Sequence, residues 1–345
     1  MERRCALRFL ALALLAAAAP GCGDRKPVPA VGPSSEVNVL APARLRALAD
    51  SVAAVLRADV TTVRPEPRFA VTVDALEQHR FYRSRKSVLV VAPEDDPVLR
   101  EFLGKVTTPR ARTEYPGLWR TADPFAAGQV LLVLVGDPAE IVRRLRTGSE
   151  GLVREVEGAT VDVLLANLYR AGEREKAGRE ISTRFGWSVR IPREWTVQDR
   201  SNDASNFVRV WHDAPVMQMF VSWEGGRVER TPEEWLERRH QLGWVHYDRD
   251  EVVGDRSTAE AAPTPSGLPG AVMRGLWEND RWVIGGPFEA WAFYCPEDDR
   301  TYLVDLSVYA PDREKLPLLR TLRAVARTFR CGCTGAGPAG DLPRA

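Results

Sequence analysis

The sequence is short of the residue types that usually do chemistry. Of its 345 residues only four are histidine: His79, His212, His240 and His246. It contains no Gly-x-Ser-x-Gly nucleophile turn, no His-Glu-x-x-His pair for zinc and no Gly-x-x-x-x-Gly-Lys phosphate loop. Lysine is confined to Lys26, Lys86, Lys105, Lys176 and Lys315, arginine supplying the other cations, and the formal net charge is +1. With no basic field there is nothing to gather counterion-releasing phosphates, so nucleic acid is not an expected partner. No apolar run reaches the roughly 20 residues that a spanning helix needs.

The start of the chain has a different character. Arg3, Arg4 and Arg8 precede an uncharged apolar run from Phe9 to Ala19, which ends Ala19-Pro20-Gly21-Cys22. Positive charge, a short apolar stretch and small residues make a secretory signal. Small residues directly before a cysteine resemble the lipobox of bacterial lipoproteins, whose cysteine is acylated and becomes the new N-terminus. The expectation is a signal over 1–22 with Cys22 lipidated, and a location in the cell envelope on a membrane surface. Cleavage without lipid is the alternative. Pro27, Pro29, Gly32 and Pro33 make 23–34 a polar tether.

The cysteines after Cys22 are Cys295, Cys331 and Cys333. An exported chain can form disulfides, and the reading is a bridge from Cys295 to one of the other two. The tail offers too few further ligands for a metal site, and no cofactor is expected.

Over 35–178, periodicity predicts an α/β unit. Ser87–Ala92 and Val130–Val135 are short, continuous apolar runs of the kind found in central buried strands. Leu45, Leu48, Ala49, Val52 and Leu56 make one helical face, and Asp137-Pro138-Ala139-Glu140 is a helix start. Over 179–333 the texture is that of short strands broken by turns, read at Ile181–Phe185, Trp187–Ile191, Phe207–Trp211, Met217–Trp223, Ala271–Trp277, Phe288–Tyr294 and Tyr302–Tyr309. Met217, Met219, Val221 and Trp223 alternate with Gln218, Phe220, Ser222 and Glu224, which predicts a sheet with one wet side and places Asp305 and Ser307 outward. Thr231-Pro232-Glu233-Glu234 opens one helix, Asp312 caps a last one, and Arg256–Gly270 reads as a long mobile loop. The expected fold class is an α/β N-terminal unit followed by an α+β sandwich with a mainly antiparallel sheet. Residues 334–345 read as a disordered tail.

Several short motifs, in order, carry a family resemblance. They are Pro65-Glu66-Pro67-Arg68-Phe69, Arg83-Ser84-Arg85-Lys86, Gln129, Gly285-Gly286-Pro287-Phe288, Tyr309-Ala310-Pro311 and Thr328-Phe329. With the lipid cysteine, they resemble the bacterial lipoproteins catalogued as domain of unknown function 4837. That resemblance implies a two-part envelope lipoprotein and no activity. Phe185-Gly186-Trp187-Ser188-Val189 through Pro192-Arg193-Glu194-Trp195 looks like the opening of PsbP-like sandwich domains, which are mostly binding and assembly factors.

Candidate sites are few. His212 with Asp213 at a strand end is the one arrangement suggesting a hydrolytic dyad. Nine of the ten tryptophans lie in the second half. Trp277 and Trp282 flank the polar turn Glu278-Asn279-Asp280-Arg281 and are the candidates for ligand binding, while Trp211, Trp223 and Trp291 read as packing. The expected function is a non-enzymatic binding or assembly module whose partner is an envelope protein, glycan or lipid. The alternatives are a hydrolase of envelope polymer and a structural spacer.

Overall fold

A computed structural model describes residues 28–265 and 267–332. Cys22, Cys333, the signal sequence and the 334–345 tail lie outside the described residues.

The first half runs β1 (Glu36–Ala41), α1 (Arg46–Arg57), β2 (Asp59–Thr61), β3 (Pro65–Pro67), β4 (Ala70–Ala75), β5 (Ser87–Ala92), α2 (Pro97–Leu103), β6 (Ala111–Arg112), β7 (Leu118–Ala122), β8 (Val130–Val135), α3 (Pro138–Gly148) and α4 (Glu150–Leu168). Six strands form a sheet in the order β4-β1-β5-β8-β7-β6. The first four are mutually parallel, and β7 and β6 close the edge antiparallel. Parallel strands need helical crossovers on the faces, so β5 and the centre of β8 are buried on both sides, as their unbroken apolar runs require. One face packs against α1, α3 and α4 through Leu48, Val52, Ile141, Leu145 and Val156. The other packs against α2 and a 3-10 turn at Leu76–Tyr82. Local chemistry sets the helix starts: Asp96 accepts from the Val98 and Leu99 N–H groups, and Asp137 accepts from Glu140 N–H.

The second half runs α5 (Glu175–Phe185), β9 (Thr196–Asp199), β10 (Asn206–Asp213), β11 (Val216–Gly225), α6 (Pro232–His246), β12 (Glu251–Val252), β13 (Thr258–Pro263), β14 (Pro269–Asn279), β15 (Ile284–Cys295), β16 (Arg300–Tyr309) and α7 (Leu316–Ala326). Its sheet is antiparallel throughout, in the order β12-β14-β15-β16-β11-β10-β9, with β13 also on β14. One face carries Met219, Trp223, Leu306 and Val308, packed with Trp187 of the α5–β9 segment against α5 and α7. The other carries Phe207, Phe220, Phe288 and Leu303 against α6.

Four expectations are corrected here. Ile181–Phe185 is helical, because Ile181 belongs to a face buried against the sheet and Gly186, at φ 78°, supplies the left-handed stop. Within Arg256–Gly270, Thr258–Pro263 is β13, paired residue by residue with β14, which itself begins at Pro269. The wet side of the sheet is dry: α6 covers it, leaving Asp305 at 0% and Ser307 at 1% exposure. Part of the tether is docked, since Ala30 N–H donates to Ala127 O at 2.9 Å and Val31 N–H to Ser84 O at 2.7 Å.

A polar joint fixes the halves to each other. Arg320 and Arg323 of α7 and Arg327 at its C-cap follow at spacings of three and four, which puts them on one side of the helix. Arg320 is 1% exposed, donates to Glu157 of α4 at 2.8 Å and to the Arg68 carbonyl at 2.6 Å, and lies 4.2 Å from the Phe69 ring centroid. Arg323 bridges Glu157 and Glu289, and Arg327 pairs with Asp162. Glu66 is buried beside the start of α7, where its carboxylate accepts the Lys315 N–H at 2.8 Å and the Leu316 N–H at 2.9 Å. The α7 cap is therefore Glu66 of the first half and not Asp312, which lies outside the helix; Lys315 precedes the first turn without a side-chain cap of its own.

Candidate binding surface

The sequence-predicted sites disperse. Cys295 and Cys331 form a disulfide, S–S 2.02 Å, tying the end of β15 to the segment after α7. Glu297 lies close to both sulfurs, but a disulfide has no thiolate to offer a metal. His212 and Asp213 end β10 and turn to separate partners. His212 Nδ1 lies 3.0 Å from Pro215 O, and Asp213 accepts from Trp211 Nε1 at 2.7 Å. Among the other histidines, His240 Nδ1 accepts the Val252 N–H, and His246 sits buried with Nε2 2.8 Å from Ser205 Oγ.

Trp277 and Trp282 part company. Trp277 is 4% exposed and belongs to the core beneath α6, which removes it as a ligand platform; inward alternation along β14 outweighs the polar turn beside it. Trp282 is 57% exposed, and it is not alone: Trp244, Val245 and Val283 are exposed with it. They lie on two chain segments, the end of α6 and the β14–β15 hairpin.

Hydrogen bonds lock the two segments together. Asn279, 1% exposed, places Nδ2 within 3.3 Å of Tyr247 O, 3.0 Å of Asp248 O and 2.7 Å of Asp250 Oδ1. Its Oδ1 accepts the Trp282 N–H. Asp248 takes the Arg281 guanidinium at 2.9 Å and the Trp282 indole N–H at 3.0 Å. Arg281 lies 5.0 Å from the Trp282 ring and Arg249 lies 5.5 Å from the Trp244 ring. Asp248, Arg249 and Val283 all have positive φ, at 56°, 78° and 52°. For β-branched Val283 that is a real outlier, and such backbone costs on the order of 1–3 kcal/mol unless its surroundings impose it. The tip is thus held in one shape with its apolar groups outward.

Below the tip lies a buried charged layer. Arg239 on α6 pairs with Asp305 on β16 at 3.0 Å, with side chains 3% and 0% exposed. The Arg239 guanidinium also lies 4.0 Å from the Phe288 ring centroid. Burial pushes the Asp305 carboxyl up, against the pull of Arg239. Burial likewise raises Asp250 to about 6 and lowers His246 to about 4. A buried pair of this kind is weak evidence for net stability, but breaking it leaves a lone charge in the core, so it fixes where α6 can sit. Alternation along β16 sets Asp305 apart from Leu306 correctly; the sequence reading had the helix opened by Thr231-Pro232-Glu233-Glu234 but not its position over that face.

Residues 174–328 match the family model described as domain of unknown function (DUF4837). This region belongs to that family. The DUF4837 region runs from the start of α5 to just past α7 and holds the whole tip, the buried layer and the Cys295 end of the disulfide. The motifs at 65–69, 83–86 and 129 lie before it. No curated protein matches the chain. Among solved structures, the chain is similar to the Saccharomyces cerevisiae Ran-binding protein Mog1p at 10% identity over 44% of this chain and 93% of that one, with a TM-score of 0.28. A Mog1 point mutant is similar at 12% identity over 43% and 93%, with a TM-score of 0.27. Likeness at that level says nothing of partners or activity.

Proposed function

We propose that the protein is an envelope lipoprotein, anchored through acyl chains on Cys22, that works as a non-enzymatic binding module with a PsbP-like sandwich as its binding domain. The observation that carries the binding reading is the tip, with Trp244, Val245, Trp282 and Val283 exposed on two segments that Asn279 and Asp248 hold together.

The partner chemistry follows from the shape. Small ligands favour concave pockets lined by apolar groups. This cluster protrudes, Val283 being 89% exposed, and it mixes aromatic and aliphatic side chains with arginines at the edge. Aromatic anchors within a polar rim are how protein interfaces concentrate their binding energy, so the partner is an envelope protein with a complementary apolar groove. The local engagement of His212 and Asp213 favours this reading over the hydrolase.

In-cell photocrosslinking tests it. A photoreactive phenylalanine at position 283 should give one discrete adduct, identified by mass spectrometry, which disappears when Trp244 and Trp282 are both changed to Ala. No adduct at 283, or an adduct indifferent to those two changes, refutes the tip as the interface. Intact mass of the native mature N-terminus tests the lipid separately.

A further inference from the structure

Of the exposed apolar residues away from the tip, Val63 stands alone in the β2–β3 turn, and Val28, Val31 and Phe81 lie where the N-terminal segment docks. Val28 O accepts the Ala127 N–H at 2.9 Å, and Lys86 N–H donates to Val31 O at 3.3 Å, so the segment lies beside the Arg83–Lys86 turn at the start of β5. Gln129 fixes that turn from within, its side-chain amide Nε2 lying 3.3 Å from Tyr82 O, 3.1 Å from Arg83 O and 2.6 Å from Arg85 O. Val28 is 69% exposed, Val31 51% and Phe81 68%. Arg80, Arg83 and Arg170 are exposed nearby, with Arg85 and Lys86 half-buried. Lys86 feels Arg170 as a neighbouring cation. The nearby carboxylates are fewer and engaged or half-buried: Asp123 accepts the Gly128 N–H, Asp74 the Tyr82 O–H and Glu77 the Ala43 N–H, and Glu36 is half-buried.

The covalent geometry decides what this face meets. Only residues 23–27 separate Cys22 from Val28. Six residue steps reach at most about 20 Å when fully extended. A body of this length has a radius of gyration of about 19 Å, so such a link cannot let it turn freely above an anchor.

We propose that the face bearing Val28, Val31, Phe81, Arg83, Arg85 and Lys86 lies on the bilayer with its cations against anionic phospholipid headgroups. The proposal rests on the lipid-anchor reading for its geometry, and it makes this face a second membrane signal beside the acyl chains. Each basic residue near an anionic surface contributes about fivefold to partitioning.

The test separates the two signals. The mature chain, residues 22–345 carrying Cys22→Ser, has neither the apolar signal run nor an acylated cysteine. It should float with vesicles of phosphatidylglycerol and phosphatidylcholine, should not float with phosphatidylcholine alone, and should be released by high salt. Phe81→Ser with Arg83→Glu, both at exposed positions, should weaken the flotation at least tenfold while leaving the unfolding midpoint unchanged. Equal recovery from both vesicle types, or retained flotation of that double variant, overturns the proposal. If the native N-terminus carries no fatty acid while Cys22→Ser still floats, the anchor reading alone has failed.

Discussion

His246 and Asp250 lie four residues apart, and their protonation pulls stability in opposite directions over one pH window. His246 is 5% exposed, stacked on Phe207 at 3.9 Å, with Arg200 and Arg238 nearby; burial first, then those two charges, lowers it from 6.5 to about 4. Between pH 4 and 6.5 the unfolded chain therefore binds this proton and the folded one does not. Stability from this group is full above pH 6.5 and is lost as pH falls toward 4. Asp250 is also 5% exposed; burial raises it from 3.8 to about 6 despite the Asn279 bond and the pull of Arg239 and Arg209. Between pH 4 and 6 the folded state holds the Asp250 proton and the unfolded chain releases it, so its contribution falls as pH rises. Each shift spans about two pH units, at most ~3 kcal/mol, and nearby solvent reduces that to about 1–2 kcal/mol. Urea unfolding at pH 4 and pH 6.5 of the wild type, His246→Gln and Asp250→Asn resolves the two. Relative to wild type, Asp250→Asn should gain about 1–2 kcal/mol on going from pH 4 to 6.5, and His246→Gln should lose a similar amount. Two differences that stay flat, or that move in the same direction, refute the reasoning.

Two further outcomes follow from the joint and the disulfide. Glu66→Gln keeps the volume but turns an acceptor-only carboxylate into an amide facing the Lys315 and Leu316 N–H groups, and a loss of about 2–3 kcal/mol in denaturant unfolding is expected; a change below about 0.5 kcal/mol shows that α7 does not depend on the cap. Cys295 and Cys331 are 36 residues apart, so reduction by dithiothreitol should lower stability by about 3–4 kcal/mol, read as a shift of the urea midpoint.

Much of the fold could be read from local rules. β5 and β8 follow their apolar runs residue for residue. The capping acid Asp137 and the Thr231–Glu234 capping box sit where the sequence places them, because a cap is chemistry between neighbours. The misreadings share another cause. Alternation put Asp305 on a different face from Leu306, which is correct, but whether that face is wet depends on α6, some 60 positions away. Asp312 looked like a cap because nothing near it shows that Glu66 performs that task. The tip was half legible: Trp282 stood out beside a polar turn, while Trp244, within the last turns of α6, did not. Its exposure would have needed the knowledge that α6 ends beside the hairpin.

The resemblance motifs mark joints, and that explains why they carried a family likeness without an activity. Glu66 caps a helix of the other half, Arg68 offers its carbonyl to Arg320, and Phe69 lies under that guanidinium. Gln129 pins the basic turn. At Gly286 a Cβ would stand 1.9 Å from the Val308 carbonyl oxygen, so only glycine lets β15 approach β16 there. None of these residues belongs to the tryptophan tip. The tip lies in the second half and the basic face in the first, so the α4–α7 joint determines where one stands relative to the other. Arg320 is almost fully buried between them and already bonded to Glu157 and to the Arg68 carbonyl, so sliding α7 would strand its charge in the core. The joint therefore makes the two surfaces parts of one rigid body, and a change at Glu66 or Arg320 should loosen the placement of one relative to the other without touching any residue of either.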